Sequence, residues 1–206
     1  EWLSEWAKIF AKALDLLESE KRLHGLTIKD SATDFVNRQN FVTQTQREIA
    51  RARRLFLPVS VAMIAVDQYA QIVERCGAEE ANAVLRVLAR LFEKHSRVND
   101  VFGRLGSDEF GLLLPHTGHR EALIKAERLR RMIQSADFSK VLADFPRLTI
   151  SIGVSEYPGF VRDAEELLQS ADEALFQVRA EHNKTCIAVA NEGFAPDFVV
   201  QEKGGS

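Results

Sequence analysis

Two groups of side chains able to do chemistry lie within residues 97–110, Arg-Val-Asn-Asp-Val-Phe-Gly-Arg-Leu-Gly-Ser-Asp-Glu-Phe. At one end, Asp108 and Glu109 set two carboxylates beside the reversal at Gly106-Ser107. A backbone that turns closely next to paired carboxylates is a place where a metal-bound phosphate can be held. At the other end, Arg97 and Asp100 stand three residues apart and can converge on one ligand. The same pair in an exposed turn is also satisfied as a plain ion pair, worth ~0 to 1 kcal/mol.

The elements that must position these groups follow from the pattern around them. A short strand, a glycine-bearing reversal and the apolar run at 110–114 predict a β-hairpin. Pro58 restricts the entry to Val59–Val66, an unbroken apolar and β-branched run that predicts a buried strand. Upstream, Thr33 or Asp34 is the expected cap of a helix reaching about residue 55, whose polar end carries Arg47, Arg51, Arg53 and Arg54. Arg53 and Arg54 are expected on a solvated face. Residues 120–134 and 164–180 predict helices, and 148–154 and 185–190 predict strands. Alternating helix and strand implies a mixed sheet covered on both faces.

The 206 residues suit one core, expected over 28–191, with a helical appendage at 1–27 and a mostly polar tail at 192–206. Trp2, Leu3, Trp6, Ile9, Phe10, Ala13, Leu14, Leu17 and Leu23 recur at spacings near three and four, giving an amphipathic helix. Its apolar stripe packs either on its own domain or on a second chain as a coiled coil. A net charge of −3 argues against nucleic acid as partner. Cys76 and Cys186 offer neither a disulfide framework nor metal spacing, which fits a reduced cytoplasmic setting. No apolar run approaches the ~20 residues of a membrane span. Because Glu1 replaces an initiating methionine, the sequence reads as a piece of a longer protein, one able to carry a membrane-associated part elsewhere. His24, His95, His116, His119 and His182 are scattered; His116 and His119 alone come close enough to suggest a shared ligand, and all are expected as surface or helix-end residues.

The heptapeptide Arg104-Leu-Gly-Ser-Asp-Glu-Phe110 resembles the Arg-x-Gly-Gly-Asp/Glu-Glu-Phe signature of the GGDEF domain, the diguanylate cyclase family, with Ser107 in place of the second glycine. Ordered matches extend through Asp30-Ser-Ala-Thr-Asp-Phe-Val-Asn-Arg38, Leu148-Thr-Ile-Ser-Ile-Gly-Val154 and Ala171-Asp-Glu-Ala-Leu-Phe176. The resemblance implies an α/β fold of ferredoxin-like, nucleotide-cyclase-like type, with a central mixed sheet of about five strands. It also implies bacterial second-messenger signalling through cyclic di-GMP. The N-terminal helix is similar in position to the signalling helices of that family, which implies a homodimer.

Aligned on the family's nucleotide site, Ala65 stands where a magnesium-binding aspartate is expected, and Ala70 where a lysine binds phosphate. Val73 and Asn82 replace two guanine-reading residues, and Asn183 replaces an arginine of the triphosphate clamp. Gly106, Asp108 and Glu109 remain of the original set, with Ser107 in place of the second glycine and Arg179, where a lysine is expected, still supplying positive charge. A methyl group cannot ligate a hard cation, and phosphoryl transfer depends on stabilising charge. The expectation is therefore a chain without metal, cofactor or catalytic activity. Asp67 or Glu74 reaching for the metal is the conceivable compensation.

Arg97-Val-Asn-Asp100, by contrast, falls where many family members carry the Arg-x-x-Asp site that binds the product. An arginine fork suits guanine O6 and N7 or a phosphate, and a carboxylate accepts from guanine N1 and N2. Arg128 is similar to a position on the neighbouring helix that joins this site, and Arg51 to an arginine reaching ligand on a partner domain. The resemblance thus implies a cyclic di-GMP receptor that signals to a partner protein. The alternatives are a weakly active cyclase or GTP-binding regulatory domain, and a ligand-free dimerisation module.

Overall fold

The computed structural model describes residues 28–142, 145, 147–159, 161–189 and 193–196. The amphipathic stretch 1–24 and the Gly204-Gly-Ser206 end lie outside the described residues.

The sheet is built around β2 (Val59–Val66), all eight of whose residues are buried. It pairs antiparallel on one side with β4 (Glu109–Pro115) and on the other with β5 (Ile150–Tyr157). Outside these run β3 (Val101–Arg104), antiparallel to β4, and β6 (Thr185–Val189), parallel to β5. These five strands are the sheet the sequence implies. Two short strands extend it to seven, in the order β1-β3-β4-β2-β5-β6-β7. They are β1 (Val36–Asn37), parallel to β3, and β7 (Gly193–Pro196), antiparallel to β6, which carries the sheet beyond residue 191.

Side chains alternate across β2, and each set finds its own helices. Ala62, Ile64 and Val66 pack with α2 (Tyr69–Cys76), α3 (Ala78–Lys94) and α4 (His119–Ser135). Val61, Met63 and Ala65 pack with α1 (Arg38–Leu55) and α5 (Ala164–Arg179). Burial on both faces is why the sequence of β2 shows no polar alternation.

Two close approaches fix the face under α1 and α5. Gly103 and Gly111 are paired across β3 and β4, and a Cβ on either would stand 2.6 or 2.5 Å from the Phe41 ring. The two glycines form the floor on which Phe41 of α1, fully buried, lies flat. At Gly153 of β5 a Cβ would come within 2.1 Å of the Leu175 backbone nitrogen, so α5 crosses the sheet backbone against backbone.

The start of α1 differs from expectation. Its cap is Asn37, whose side chain accepts from the Asn40 N–H at 2.9 Å, and not Thr33 or Asp34. Those residues belong to a preceding loop, in which the Asp30 carboxylate accepts from the Thr33 N–H at 2.9 Å and the Thr33 hydroxyl at 2.7 Å. The chain then needs Val36 for β1 before the helix can begin. Arg53 is likewise more than a solvated charge, since it donates to the Tyr157 hydroxyl at 3.4 Å and the Arg162 carbonyl at 3.2 Å.

Candidate functional site

The hairpin tip is held by its own signature residues. Leu105 N–H donates to the Glu109 carbonyl at 2.9 Å, closing the turn. The Arg104 guanidinium donates to the carbonyls of Gly106 and Ser107 and lies 5.3 Å from the Phe110 ring centroid. Ser107 is not among the non-glycine residues with positive φ, so a serine fits here without strain. Its hydroxyl donates to Asp108 Oδ1 at 3.0 Å. The Val66 N–H donates to the Asp108 carbonyl at 2.9 Å, which docks the tip on the end of β2.

A single arginine holds both carboxylates. Arg179, in the last turn of α5, donates from Nη2 to Asp108 Oδ2 and from Nη1 to Glu109 Oε1, each at 2.7 Å. Burial works against the Arg179 charge, but the Glu109 and Asp108 carboxylates outweigh it and raise the guanidinium pKa above its ordinary value. Arg179 lines two cavities. On its Asp108 side is a cavity of about 150 Å3 lined by Val66, Asp67, Gln68, Ala70 and His182. On its Glu109 side is one of about 570 Å3, between α1 and α5, lined by Arg38, Gln46, Asp172 and Phe176.

The donor set does not make a magnesium site. Ala65 is 1 % exposed and pairs with Glu109 in the ladder, offering only a methyl group. Asp67 is committed elsewhere: its carboxylate accepts from the Thr149 hydroxyl at 2.6 Å, the Ser151 hydroxyl at 2.8 Å and the Asn183 N–H at 2.7 Å. Glu74 is exposed on α2 and does not line the smaller cavity. Among the described residues no group of three or more His, Cys, Asp or Glu is placed to hold a metal ion. Val73 is half-buried against the core, and Asn82 is half-buried on α3. Neither lines the cavity beside Asp108.

At the base of the hairpin, residues 97–100 form a turn in which the Arg97 N–H donates to Asp100 Oδ2 at 2.9 Å. Lys125 of α4 donates to the same oxygen at 2.9 Å and to the His95 carbonyl at 2.8 Å. The Asp100 side chain is 3 % exposed, so its carboxylate faces inward and fastens α4 to the turn. Lys125 escapes sequence reasoning; its one signal is its place three residues before Arg128 on a helix, hence on the same face. Arg97 and Arg128 are both exposed. Arg51 sits on α1, across the sheet from α4, 3.9 Å from Glu48 and beside a cavity of about 320 Å3 that it shares with Asn99. His116 and His119 do not share a ligand: His116 lies 3.6 Å from Glu48 and His119 2.9 Å from Glu156.

The family description "Diguanylate cyclase, GGDEF domain" matches residues 27–185. The chain belongs to the GGDEF family. It is 34% identical over 147 residues to the diguanylate cyclase DosC of Escherichia coli strain K12, covering 71% of this chain and 32% of DosC. The chain thus spans about a third of that relative's length. Among solved structures, the GGDEF domain resembles diguanylate cyclase SiaD of Pseudomonas aeruginosa, solved with its activator SiaC. There the TM-score is 0.72 at 28% identity, over 90% of this chain and 72% of that one. The GGDEF domain of DgcB from Caulobacter crescentus, solved with cyclic di-GMP, has the same fold, with TM-score 0.72 at 21% identity over 78% of this chain and 92% of that one.

These relatives overturn the expectation of a non-enzyme. DosC and SiaD are diguanylate cyclases by name; this GGDEF domain is 34% identical to the first over 147 residues and shares the fold of the second. The altered positions leave the signature hairpin closed and docked on the end of β2, the frame that carries the family's chemistry. No helix among the described residues is long and apolar enough to cross a membrane.

Proposed function

We propose that this GGDEF domain is a GTP-binding regulatory domain of the diguanylate cyclase type, joining GTP into cyclic di-GMP at a low rate. The observation that carries it is the signature hairpin, docked on β2 with Asp108 beside the smaller cavity and Glu109 beside the larger one, in a chain 34% identical over 147 residues to a diguanylate cyclase. The rate is low because transition-state charge must be met by the protein. Arg179 is the cation nearest that cavity, and its fork is engaged with the two carboxylates. Incubation of the chain with radiolabelled GTP and magnesium chloride, followed by chromatography, is expected to show slow accumulation of cyclic di-GMP that disappears in Asp108→Ala. No nucleotide binding and no product would overturn the reading.

A second ligand contact is supported by the turn at 97–100. Arg97 on the turn and Arg128 on the helix that Lys125 ties to it are both exposed, and an arginine fork suits guanine O6 and N7 or a phosphate. Asp100 serves beneath them as a post that holds the turn on Lys125. Cyclic di-GMP, with two guanines and two phosphates, matches that arrangement. Calorimetry should show binding that weakens more than tenfold in Arg97→Ala, as the loss of a charge-assisted fork costs ~2 kcal/mol. Arg51→Ala should change binding only where the ligand bridges two domains. Equal affinity in wild type and Arg97→Ala would exclude this site.

A further inference from the structure

The short loop between α5 and β6 holds two consecutive non-glycine residues in the left-handed region, His182 at φ 58° and Asn183 at φ 51°. Such backbone is uncommon outside glycine and persists where the surroundings fix it. Here the Asn183 N–H donates to Asp67 Oδ2 at 2.7 Å, and Arg130 of α4 donates from Nη1 to Asn183 Oδ1 at 2.5 Å. One residue on, the Lys184 carbonyl accepts from the Ile152 N–H at 2.8 Å, tying the loop to β5. These bonds hold the loop without using the His182 side chain, and glycine would meet the same φ at lower cost. The imidazole is half-buried, lines the cavity of about 150 Å3 beside Asp108, and has no hydrogen-bond or ion-pair partner among the described residues.

We infer that His182 is a phosphate-binding residue of this cavity, its imidazole N–H donating to the phosphate chain of a nucleoside triphosphate. The inference rests on the GTP-binding reading above for the identity of that chain, and it names the donor that meets it. Of the charged groups lining the cavity, Asp67 already accepts three hydrogen bonds, and Asp108 and Arg179 are joined at 2.7 Å. A phosphate brought there meets two carboxylates and a guanidinium that is also shared with Glu109. An unengaged imidazole, which donates one hydrogen bond when neutral and two when protonated, is the lining group free to take up an anion.

The test uses inorganic tripolyphosphate, without metal, on the full chain. Wild type is compared with His182→Gly and His182→Asn, two residues that take a left-handed φ readily, and an unchanged Tm confirms that each variant folds. In proton–nitrogen correlation spectra of the imidazoles, the His182 signal is the one missing from both variants. Tripolyphosphate should shift that signal and leave those of His116 and His119, placed beside Glu48 and Glu156, where they are. Calorimetry should show tripolyphosphate binding weakened about tenfold or more in both variants, as a hydrogen bond to a charged group is lost. Turnover separates the two readings: KM for GTP should rise by the same factor in His182→Gly while kcat changes little. Tripolyphosphate binding through His182 with no cyclic di-GMP formed supports the inference and removes the cyclase reading alone. A His182 signal that stays in place at millimolar tripolyphosphate overturns the inference, as does equal affinity in wild type and both variants, or GTP turnover with an unaltered KM in His182→Gly.

Discussion

Asp67 and Asp108 are both acidic residues in or beside the aligned motifs, yet the fold gives them opposite work. Asp67 is 5 % exposed and saturated by two hydroxyls and a backbone N–H, while Asp108 stands at a cavity mouth. Sequence spacing identifies Asp108, Glu109 and Arg97 because each lies in a short local pattern. It does not reveal the Arg179 fork, 70 and 71 residues away in sequence, or the donors that consume Asp67, 82 and 84 residues on. Long-range pairing of charges leaves no periodic trace. Asp67→Ala should cost about 3 kcal/mol in urea unfolding, because it strands one buried and two part-buried donors. A loss below 0.5 kcal/mol would mean those donors find water. Glu127 supplies a pH-dependent case. Burial pushes its pKa up, but Arg130 and Arg131, bonded at 2.7 to 2.8 Å, outweigh this and hold it below the usual carboxylate range. A depressed folded pKa contributes stability above the unfolded value near ~4.3, and this is lost as pH falls through the folded value. Glu127→Gln should therefore lose ~2 kcal/mol at pH 7, with the gap to wild type closing below about pH 4. A gap that persists unchanged at pH 3 would exclude the charge as its source.

At the scale of elements, legibility followed from whether a signal was local. The apolar run of β2 and the hairpin at 101–115 are written in consecutive residues, and both form as the sequence predicts. The N-terminus of α1 is not, because Asp30, Thr33, Asp34 and Asn37 are all capping residue types, and β1 pairing with β3 decides among them. β1 and β7, of two and four residues, are too short to show a period. The packing of α5 on β5 turns on a single residue within a strand motif that sequence alone reads simply as β. Gly153→Ala would place a methyl carbon 2.1 Å from Leu175 N and 2.2 Å from the Ala171 carbonyl, both backbone atoms unable to swing aside. The expected cost is about 3 kcal/mol or more in chemical denaturation. Since Arg179 ends this helix, the Asp108 and Glu109 contacts should loosen with it, read as faster hydrogen exchange at residues 105–109. Wild-type stability in this variant would show that α5 does not need the close approach.

At the scale of the whole molecule, the proposed cyclase reaction constrains the assembly. Cyclic di-GMP contains two guanylates, and joining two GTP molecules requires each to be held and presented to the other. One chain offers one signature hairpin, at the end of β2. Turnover therefore calls for two copies with their hairpin tips facing. The described residues show no element that would bring two tips together, whereas the sequence of 1–24 carries an apolar stripe suited to pairing helices. We expect the full chain to be a dimer by light scattering and a chain lacking residues 1–27 to be a monomer. In the full chain the rate of GTP conversion per chain should rise with protein concentration and level off as the dimer forms. In the truncated chain it should fall toward background while the GGDEF fold persists by circular dichroism. Two monomers of equal turnover would show that residues 1–27 neither pair the chains nor serve the reaction, and that the tips meet by some other surface.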